Sequence, residues 1–230
     1  MNHAWTPTGL FVTATDTGTG KTTLASQLAA ALHARGSCVR VRKPVESGCA
    51  HDEDGNLLPA DALALQRAAG ERESLEAVAP YRLSAALSPA RAAALEGISL
   101  TLDKLERACL VGGRQGDFLL VEGAGGFYSP LASDGLNADL ASRLRLPLLI
   151  LAPDRLGVIG HVLLTLEAAA RRGLDVAGVV LNRLPDPERP AQLDNATELS
   201  ALTPDTPLYS VADTDGMAPL AAALAEHLIR

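Results

Sequence analysis

The hydrophobic pattern of the chain alternates short, mostly apolar runs with longer stretches rich in alanine and leucine. Apolar runs without polar alternation are typical of strands that are buried on both faces of a parallel sheet. Several of the longer stretches close at a glycine, as helices commonly do. This order predicts an α/β fold: a doubly wound, mainly parallel sheet with helices on both faces.

Individual elements can be assigned from the same pattern. We expect strands at residues 9–15, 38–45, 117–122, 146–153, 175–182 and 207–212. We expect helices at residues 21–36, 61–70, 88–97, 101–113, 158–173, 195–202 and 217–229. The polar segment 47–61 is expected to be a long, irregular loop, which inside a compact domain is often functional. No internal repeat is present, so residues 1–230 are interpreted as one domain.

Composition and charge exclude several classes of function. The chain has 27 acidic and 20 basic residues, and the net charge of −7 argues against nucleic acid as a partner. Cys38, Cys49 and Cys109 form no C-x-x-C pair, so neither zinc nor a disulfide framework is indicated. The N-terminal residues lack the pattern of a signal peptide, and no apolar run is long enough to span a membrane. We therefore expect a cytoplasmic protein.

A phosphate-binding loop is indicated by the stretch ATDTGTGKT at residues 14–22. It follows a predicted strand and opens a predicted helix, where backbone N–H groups and the positive end of the helix favour phosphate. The usual spacing G-x-x-x-x-G-K-[ST] would place glycine at position 15, which is Thr15 here. We therefore expect Gly18 and Gly20 to form the tight part of the turn, in a fold like that of P-loop NTPases.

The same loop carries the side chains that such a site uses. Lys21 can reach the β- and γ-phosphates of a nucleotide, and the hydroxyl of Thr22 can bind Mg²⁺. Thr17 is expected at the mouth of the loop, facing the group that accepts the phosphate. The alternative is an ordinary strand–helix turn with an exposed lysine.

Polar residues also follow other predicted strands, and the carboxyl ends of strands in a doubly wound sheet are where ligands bind. Lys43 can balance a second negative group or stabilise a transferring phosphoryl group, and Ser47 lies four residues later. Asn182 ends a later strand, and its amide can both donate to and accept from an adenine edge. Taken alone, Lys43 is also compatible with a solvated surface lysine and Asn182 with a turn asparagine.

Two carboxylates complete a possible magnesium site. Asp61 begins a predicted helix, and Glu122 ends a strand before a glycine-rich turn at residues 123–126. With Thr22 they would supply the oxygen ligands that Mg²⁺ prefers. Asp61 is equally compatible with an ordinary helix N-cap. For Glu122 the alternative is a solvated glutamate in a tight turn.

Four stretches together resemble the dethiobiotin synthetase family: ATDTGTGKT, KPVESG, ADALALQ and VEGAGG. They occur in the order and at the spacing of the family's motifs, over residues 10–182. The family also has threonine where the usual phosphate loop has glycine, so Thr15 fits. The chain departs from the family pattern at Ala14, where the family has glycine, at Thr19, where it has valine, and at Ala90, where it has histidine. Residues 209–213 replace a segment that ends in Ile-Pro in the family, which leaves nucleotide preference open.

The resemblance implies a homodimeric ligase that uses ATP, Mg²⁺ and CO₂ to close a ureido ring on 7,8-diaminononanoate, through a carbamate and a carbamic–phosphoric anhydride. It implies catalytic roles for Thr17, Lys21 and Lys43, and magnesium binding by Thr22, Asp61 and Glu122. It implies nucleotide binding by Gly18, Thr19, Gly20, Lys21, Thr22, Thr23, Asp61, Glu122, Gly123, Ala124, Gly125 and Asn182. It implies substrate binding by Ser47 and, from the partner subunit, by Leu156, Gly157, Val158 and Ile159.

Two other interpretations remain at this point. One is a related amide ligase with a different carboxylate substrate, although such enzymes usually carry a separate glutamine-hydrolysing domain. The other is an ATP-driven switch of the partition type. Those switches typically carry an extra lysine early in the phosphate loop, where this chain has Thr15, Asp16 and Thr17.

Overall fold

The computed structural model describes residues 7–186, 190–212 and 216–228. The strands are β1 (Thr8–Ala14), β2 (Val39–Arg42), β3 (Val45–Ser47), β4 (Ala50–His51), β5 (Leu57–Leu58), β6 (Tyr81–Leu83), β7 (Phe118–Glu122), β8 (Pro130–Ala132), β9 (Gly135–Leu136), β10 (Leu148–Pro153), β11 (Val176–Asn182) and β12 (Leu208–Val211). The helices are α1 (Lys21–Ala34), α2 (Ala60–Ala68), α3 (Leu75–Val78), α4 (Pro89–Leu95), α5 (Leu102–Leu110), α6 (Asn137–Leu144), α7 (Val158–Arg171), α8 (Asn195–Leu202) and α9 (Met217–Leu228). Residues 213 and 229, included in two of the sequence predictions, lie outside the described ranges.

The central sheet has the strand order β12-β11-β10-β1-β7-β2, and every neighbouring pair in it is parallel. The doubly wound, mainly parallel sheet that the sequence predicts is therefore confirmed. Strand β1 lies between β7 and β10, so the loop that follows Ala14 emerges beside the end of β7. A crevice between carboxyl ends of strands is where ligands of such sheets bind.

Helices cover both faces of this sheet, as predicted. On β1, the side chains of Leu10 and Val12 pack with α1, α2 and α9, while Phe11 packs with the helices of the opposite face. This two-residue alternation between two apolar layers explains why the strands are apolar throughout. Among the described residues, no helix is both long enough and apolar enough to cross a membrane.

The segment 47–61 differs from the irregular loop that the sequence predicts. It contains a short antiparallel hairpin in which Ala50 pairs with Leu58 and His51 with Leu57. Asp52 stabilises the turn, because its carboxylate accepts hydrogen bonds from the backbone N–H groups of Asp54 and Asn56. Two-residue strands carry no detectable period, so the prediction of an irregular loop was wrong for this part.

A buried ion pair fixes the end of β2. The guanidinium of Arg42 is fully buried, and both oxygens of Glu73 accept from it, at 2.8 and 2.9 Å. Its other N–H groups donate to backbone carbonyls, including that of Val111 at 2.9 Å. Glu73 also pairs with Arg40 at 2.6 Å. Because Arg42 immediately precedes Lys43, this network holds the backbone from which Lys43 projects.

Replacing Glu73 with glutamine tests this network. The change leaves the buried guanidinium of Arg42 without its counter-charge, and breaking a buried pair from one side costs about 3–5 kcal/mol. We expect the free energy of unfolding in urea to fall by an amount of that order. Glu76→Gln is the matched control, because Glu76 is 74% exposed in its pair with Arg82 and should change stability little. Equal losses in both variants would contradict the argument.

Candidate functional site

The phosphate loop joins β1 to α1 and turns at its glycines. Gly18 has φ = 71° and Gly20 has φ = 92°, in the left-handed region that glycine tolerates best. A Cβ on Gly20 would lie 2.7 Å from Nδ2 of Asn182, so the position also requires glycine for space. Thr15 and Ala14 are not among the described residues with positive φ. The loop therefore needs no glycine at position 15.

A cavity of about 400 Å³ opens above this loop. It brings together most of the residues that the sequence predicts for the site. Its lining residues are Thr17, Gly18, Thr19, Gly20, Lys21, Thr22, Thr23, Lys43, Glu46, Ser47, Asp61, Glu122, Ala124 and Gly125. Glu46 is an addition that sequence reasoning missed, although it lies within the quoted stretch KPVESG. Gly123 and Asn182, and the segment 156–159, do not line this cavity.

Thr22, Lys43, Asp61 and Glu122 form one group, which we call the Lys43 cluster. Nζ of Lys43 lies 2.7 Å from Oδ2 of Asp61 and 2.5 Å from Oε1 of Glu122. The hydroxyl of Thr22 donates to the same Glu122 oxygen at 2.9 Å. Lys43 is 3% exposed and Glu122 is 1% exposed, so the alternatives of a surface lysine and a solvated glutamate were wrong.

Electrostatics within the cluster favour the ionised forms of Lys43 and Asp61. Burial by itself would lower the pKa of Lys43, but the carboxylates of Glu122 and Asp61 raise it above its usual value. Burial opposes ionisation of Asp61 as well, yet the nearby ammonium of Lys43 holds its pKa below the usual range. Asp61 lies in the first turn of α2, whose N-cap is Pro59, so the N-cap alternative for Asp61 was wrong.

Lys21 adds a second buried ammonium to the cavity. It is 7% exposed, and its Nζ donates to the backbone carbonyl of Asp16 at 3.3 Å. Burial lowers the pKa of Lys21, and the positive charge of Lys43 lowers it further. Two cations that repel each other beside a helix N-terminus favour a polyanion between them.

The oxygens of the Lys43 cluster fit a hard cation. Oε2 of Glu122 is buried and has no hydrogen-bond partner among the described residues, and Oε1 already contacts an ammonium. Within the described ranges, no group of three or more His, Cys, Asp or Glu residues forms a metal site. Mg²⁺ commonly takes one or two protein carboxylates and completes its shell with water and substrate phosphates. The donor set suits Mg²⁺ bound together with a nucleotide.

The glycine-rich turn after β7 is held by Asn137, which sequence reasoning also missed. The fully buried amide of Asn137 accepts from Ala124 N at 3.0 Å and donates to the carbonyls of Ala124 and Gly126. A Cβ on Gly123 would lie 2.7 Å from Oδ1 of Asn137. No motif spacing marks this asparagine, because it opens a helix that the apolar pattern did not indicate.

Asn182 also supports the phosphate loop. Its side chain is 1% exposed, and Nδ2 donates to the backbone carbonyl of Thr19 at 2.9 Å. Oδ1 is buried without a hydrogen-bond partner among the described residues. The contact with adenine stays a prediction.

The segment 156–159 lies at the start of α7. Gly157 is the N-cap residue with φ = 88°, and Leu156 is 75% exposed. The preceding Arg155 pairs with Asp16 of the phosphate loop at 3.2 Å. Leu156 and Gly157 therefore lie on the outer surface, whereas Val158 is buried, and the role of the segment in substrate binding stays a prediction.

A second cavity of about 420 Å³ shares Thr17, Ser47, Ala124 and Gly125 with the first. It extends past Leu87 to the start of α4. The hydroxyl of Ser47 donates to the carbonyl of Leu87 at 2.7 Å, on the border between the two spaces. The cavity above the phosphate loop thus adjoins a second space that reaches the start of α4.

Comparison with known proteins agrees with this geometry. A family model described as an AAA domain matches residues 8–207. The chain is 44% identical over 200 residues to the ATP-dependent dethiobiotin synthetase BioD of Anaeromyxobacter dehalogenans strain 2CP-1, covering 87% of each chain. It is 43% identical over 218 residues to that of Cellvibrio japonicus, covering 95% of this chain and 94% of the relative.

Solved structures share the fold at lower identity. The septum site-determining protein MinD of Pyrococcus horikoshii, complexed with Mg-ADP, aligns with a TM-score of 0.58 and 19% identity over 96% of each chain. Apo McdA of Cyanthece aligns with a TM-score of 0.51 and 14% identity, over 97% of this chain and 100% of the other. At these identities the likeness shows the fold alone.

Replacing Lys43 with methionine tests the energetics of the cluster. The change leaves the Glu122 carboxylate buried without its cation, and losing one partner of a buried pair costs about 3–5 kcal/mol. We expect the free energy of unfolding in urea, measured without metal, to fall by an amount of that order. Added Mg²⁺ should stabilise the variant more than the parent protein.

Lys104→Met is the matched control, because Lys104 is an exposed lysine whose Nζ contacts the Ser99 carbonyl. It should leave stability nearly unchanged. A Lys43→Met protein as stable as this control would show that the cluster contributes nothing in the absence of a nucleotide.

Proposed function

The chain belongs to the dethiobiotin synthetase family, and we propose that it forms dethiobiotin from 7,8-diaminononanoate, CO₂ and ATP. The observation that carries the proposal is the meeting of Lys21 and Lys43 at one cavity, beside a phosphate loop and an adjoining space. A carbamate and a triphosphate are both anionic, and two buried ammonium groups can hold them near each other.

The reaction would proceed in three steps. One amine of the substrate attacks CO₂, a C–N bond forms, and the lost proton goes to water. An oxygen of the resulting carbamate attacks the γ-phosphorus, and ADP leaves. The second amine attacks the carbamoyl carbon, the bond from that carbon to the phosphate oxygen breaks, and the ring closes. The proton lost by the amine goes to the departing phosphate or to water. Amines are nucleophiles that need no strong protein base, so positioning and charge stabilisation suffice for catalysis.

Each lysine has a separate part in this scheme. Lys21, at the start of α1, would donate to the β- and γ-phosphates together with the backbone N–H groups of the loop. Lys43 would stabilise the charge that develops on the transferring phosphoryl group and the carbamate. Thr17 and Ser47 border both cavities, which suits contacts with the carbamate and the diamine.

Thr22, Asp61 and Glu122 would hold Mg²⁺. The chemistry that this ion supplies when bound is neutralisation of the phosphate charge. Asn182 stays the proposed adenine-binding residue, because Nδ2 is anchored to the loop while Oδ1 lacks a partner among the described residues. That oxygen could accept a hydrogen bond from the adenine amino group.

We also propose a homodimer with the start of α7 at the subunit interface. Apolar side chains are exposed along this side of the subunit: Leu156 is 75% exposed, Leu164 65% and Tyr128 52%. A largely apolar cavity of about 510 Å³ lies between Phe127, Leu164 and Ala168. Apolar surface of this kind favours association. In a dimer, residues 156–159 of one subunit would bind the substrate carboxylate of the other, at a helix N-terminus.

Phosphate release from Mg-ATP tests the proposed activity. We expect release by the purified protein to require both 7,8-diaminononanoate and bicarbonate, with a product whose mass is that of the cyclic urea. Lys21→Ala and Lys43→Ala should each slow turnover by about 10²–10³-fold, because each removes a donor to developing charge.

Lys104→Met serves as the control variant here too and should retain the parent rate. Slow release that is indifferent to the diamine would overturn the synthetase proposal. It would favour an ATP-driven switch or an amide ligase with another substrate.

Replacing Leu164 with glutamate tests the proposed dimer. A buried carboxylate at an apolar interface is strongly unfavourable, so we expect sedimentation velocity to show a shift from dimer to monomer. Val111→Glu is the control, because Val111 is 54% exposed at the end of α5, beside the edge strand β2, whereas α7 packs on β10 and β11. A parent protein that sediments as a monomer at all concentrations would contradict the dimer.

A further inference from the structure

We propose that Glu46 is a positioning residue that fixes the first turn of α2 and thereby orients the Asp61 carboxylate. Oε1 of Glu46 accepts a hydrogen bond from Asp61 N at 3.0 Å, and Oε2 accepts one from Ala62 N at 3.0 Å. The side chain thus bridges β3 and the start of α2. The inference rests on the proposed metal site, to which Asp61 belongs.

The helix has no cap of its own. The first N–H groups of a helix lack intrahelical partners and are usually satisfied by the N-cap side chain. The N-cap of α2 is Pro59, whose side chain carries no acceptor, and no side-chain cap hydrogen bond is formed there. Glu46, fifteen residues before Asp61, supplies both missing acceptors. A carboxylate at this position is also favoured by the helix dipole.

Glu46 links α2 to β3 across the hairpin that connects them in sequence. Between Glu46 and Asp61 the chain forms the β4–β5 hairpin, where His51 and Asn56 are exposed. The carboxylate of Asp61 is itself 39% exposed, and its side-chain ion pair is with Lys43. Without Glu46, the start of α2 would be held by this ion pair and by the packing of Ala62 and Leu65 in the core.

The geometry argues against Glu46 as a general base or a direct substrate ligand. The residue is only 6% exposed, and each oxygen already accepts from a backbone N–H group. Burial raises the pKa of Glu46, while the bonds from Ala62 and Asp61 oppose that rise. The carboxylate borders the cavity but is directed at the helix, as expected for a group that acts through its neighbour.

The test is Mn²⁺ binding, measured by electron paramagnetic resonance on the full chain saturated with ADP. Residues that orient metal ligands typically change metal affinity by about 10–100-fold when they are replaced. We expect about 10-fold weaker Mn²⁺ binding for Glu46→Ala, and a smaller loss for Glu46→Gln, which keeps one acceptor. Glu53→Gln makes the same chemical change at an exposed hairpin carboxylate and should bind Mn²⁺ like the parent protein.

Amide hydrogen exchange provides a second measurement that does not depend on metal. In Glu46→Ala, the amides of Asp61 and Ala62 should lose protection, while that of Leu24 in α1 should keep it. Parent-like exchange at Asp61 and Ala62 would overturn the positioning role.

Three further outcomes would also overturn the inference. If the parent protein with ADP binds no Mn²⁺, the proposed metal site fails and this role of Glu46 fails with it. If Glu46→Gln binds Mn²⁺ normally but turnover is lost with a changed pH profile, Glu46 contacts the substrate instead. Normal metal binding by both Glu46 variants would leave Asp61 independent of Glu46.

Discussion

The arrangement of the site depends on the burial of two ammonium groups, those of Lys21 and Lys43, at the carboxyl ends of the parallel strands. Such groups are stable in the interior only when oxygen atoms are held close to them. Lys43 meets this condition through Asp61 and Glu122, which come from a helix and from a different strand. Whether both ion pairs form therefore depends on the relative positions of α2, β2 and β7. The parallel packing of β2 on β7 makes this possible.

Residues that have no proposed catalytic role hold these elements in position. Arg42 and Glu73 fix the end of β2, Asn137 fixes the turn after β7, and Glu46 fixes the start of α2. Asn182 does the same for the phosphate loop. These buried polar contacts join segments that are distant in sequence, so the site is preorganised by the fold rather than by local turns.

The sequence predicts the sheet, its helical layers and most of the residues that line the cavity. Those predictions succeed because buried strands are apolar throughout and because the phosphate loop has a fixed spacing between strand and helix. Glu46 and Asn137 were missed because their partners are backbone groups, which leave no side-chain pattern. The β4–β5 hairpin was missed because its strands are too short to show a period. The proposed adenine contact and subunit interface involve a ligand and a second chain, so they leave no pattern of contacts within one chain.

The link between Glu46 and α2 also affects how the family can vary. The hydrogen bonds from Asp61 and Ala62 to Glu46 hold the two ends of the hairpin segment close together. The entropy of closing a loop rises by only about 0.6 kcal/mol for each doubling of its length. Changes in the length or surface of the hairpin should therefore have little effect on the Lys43 cluster. In evolutionary terms, the segment between Glu46 and Asp61 is a site where new recognition surfaces can be added while the chemistry is preserved.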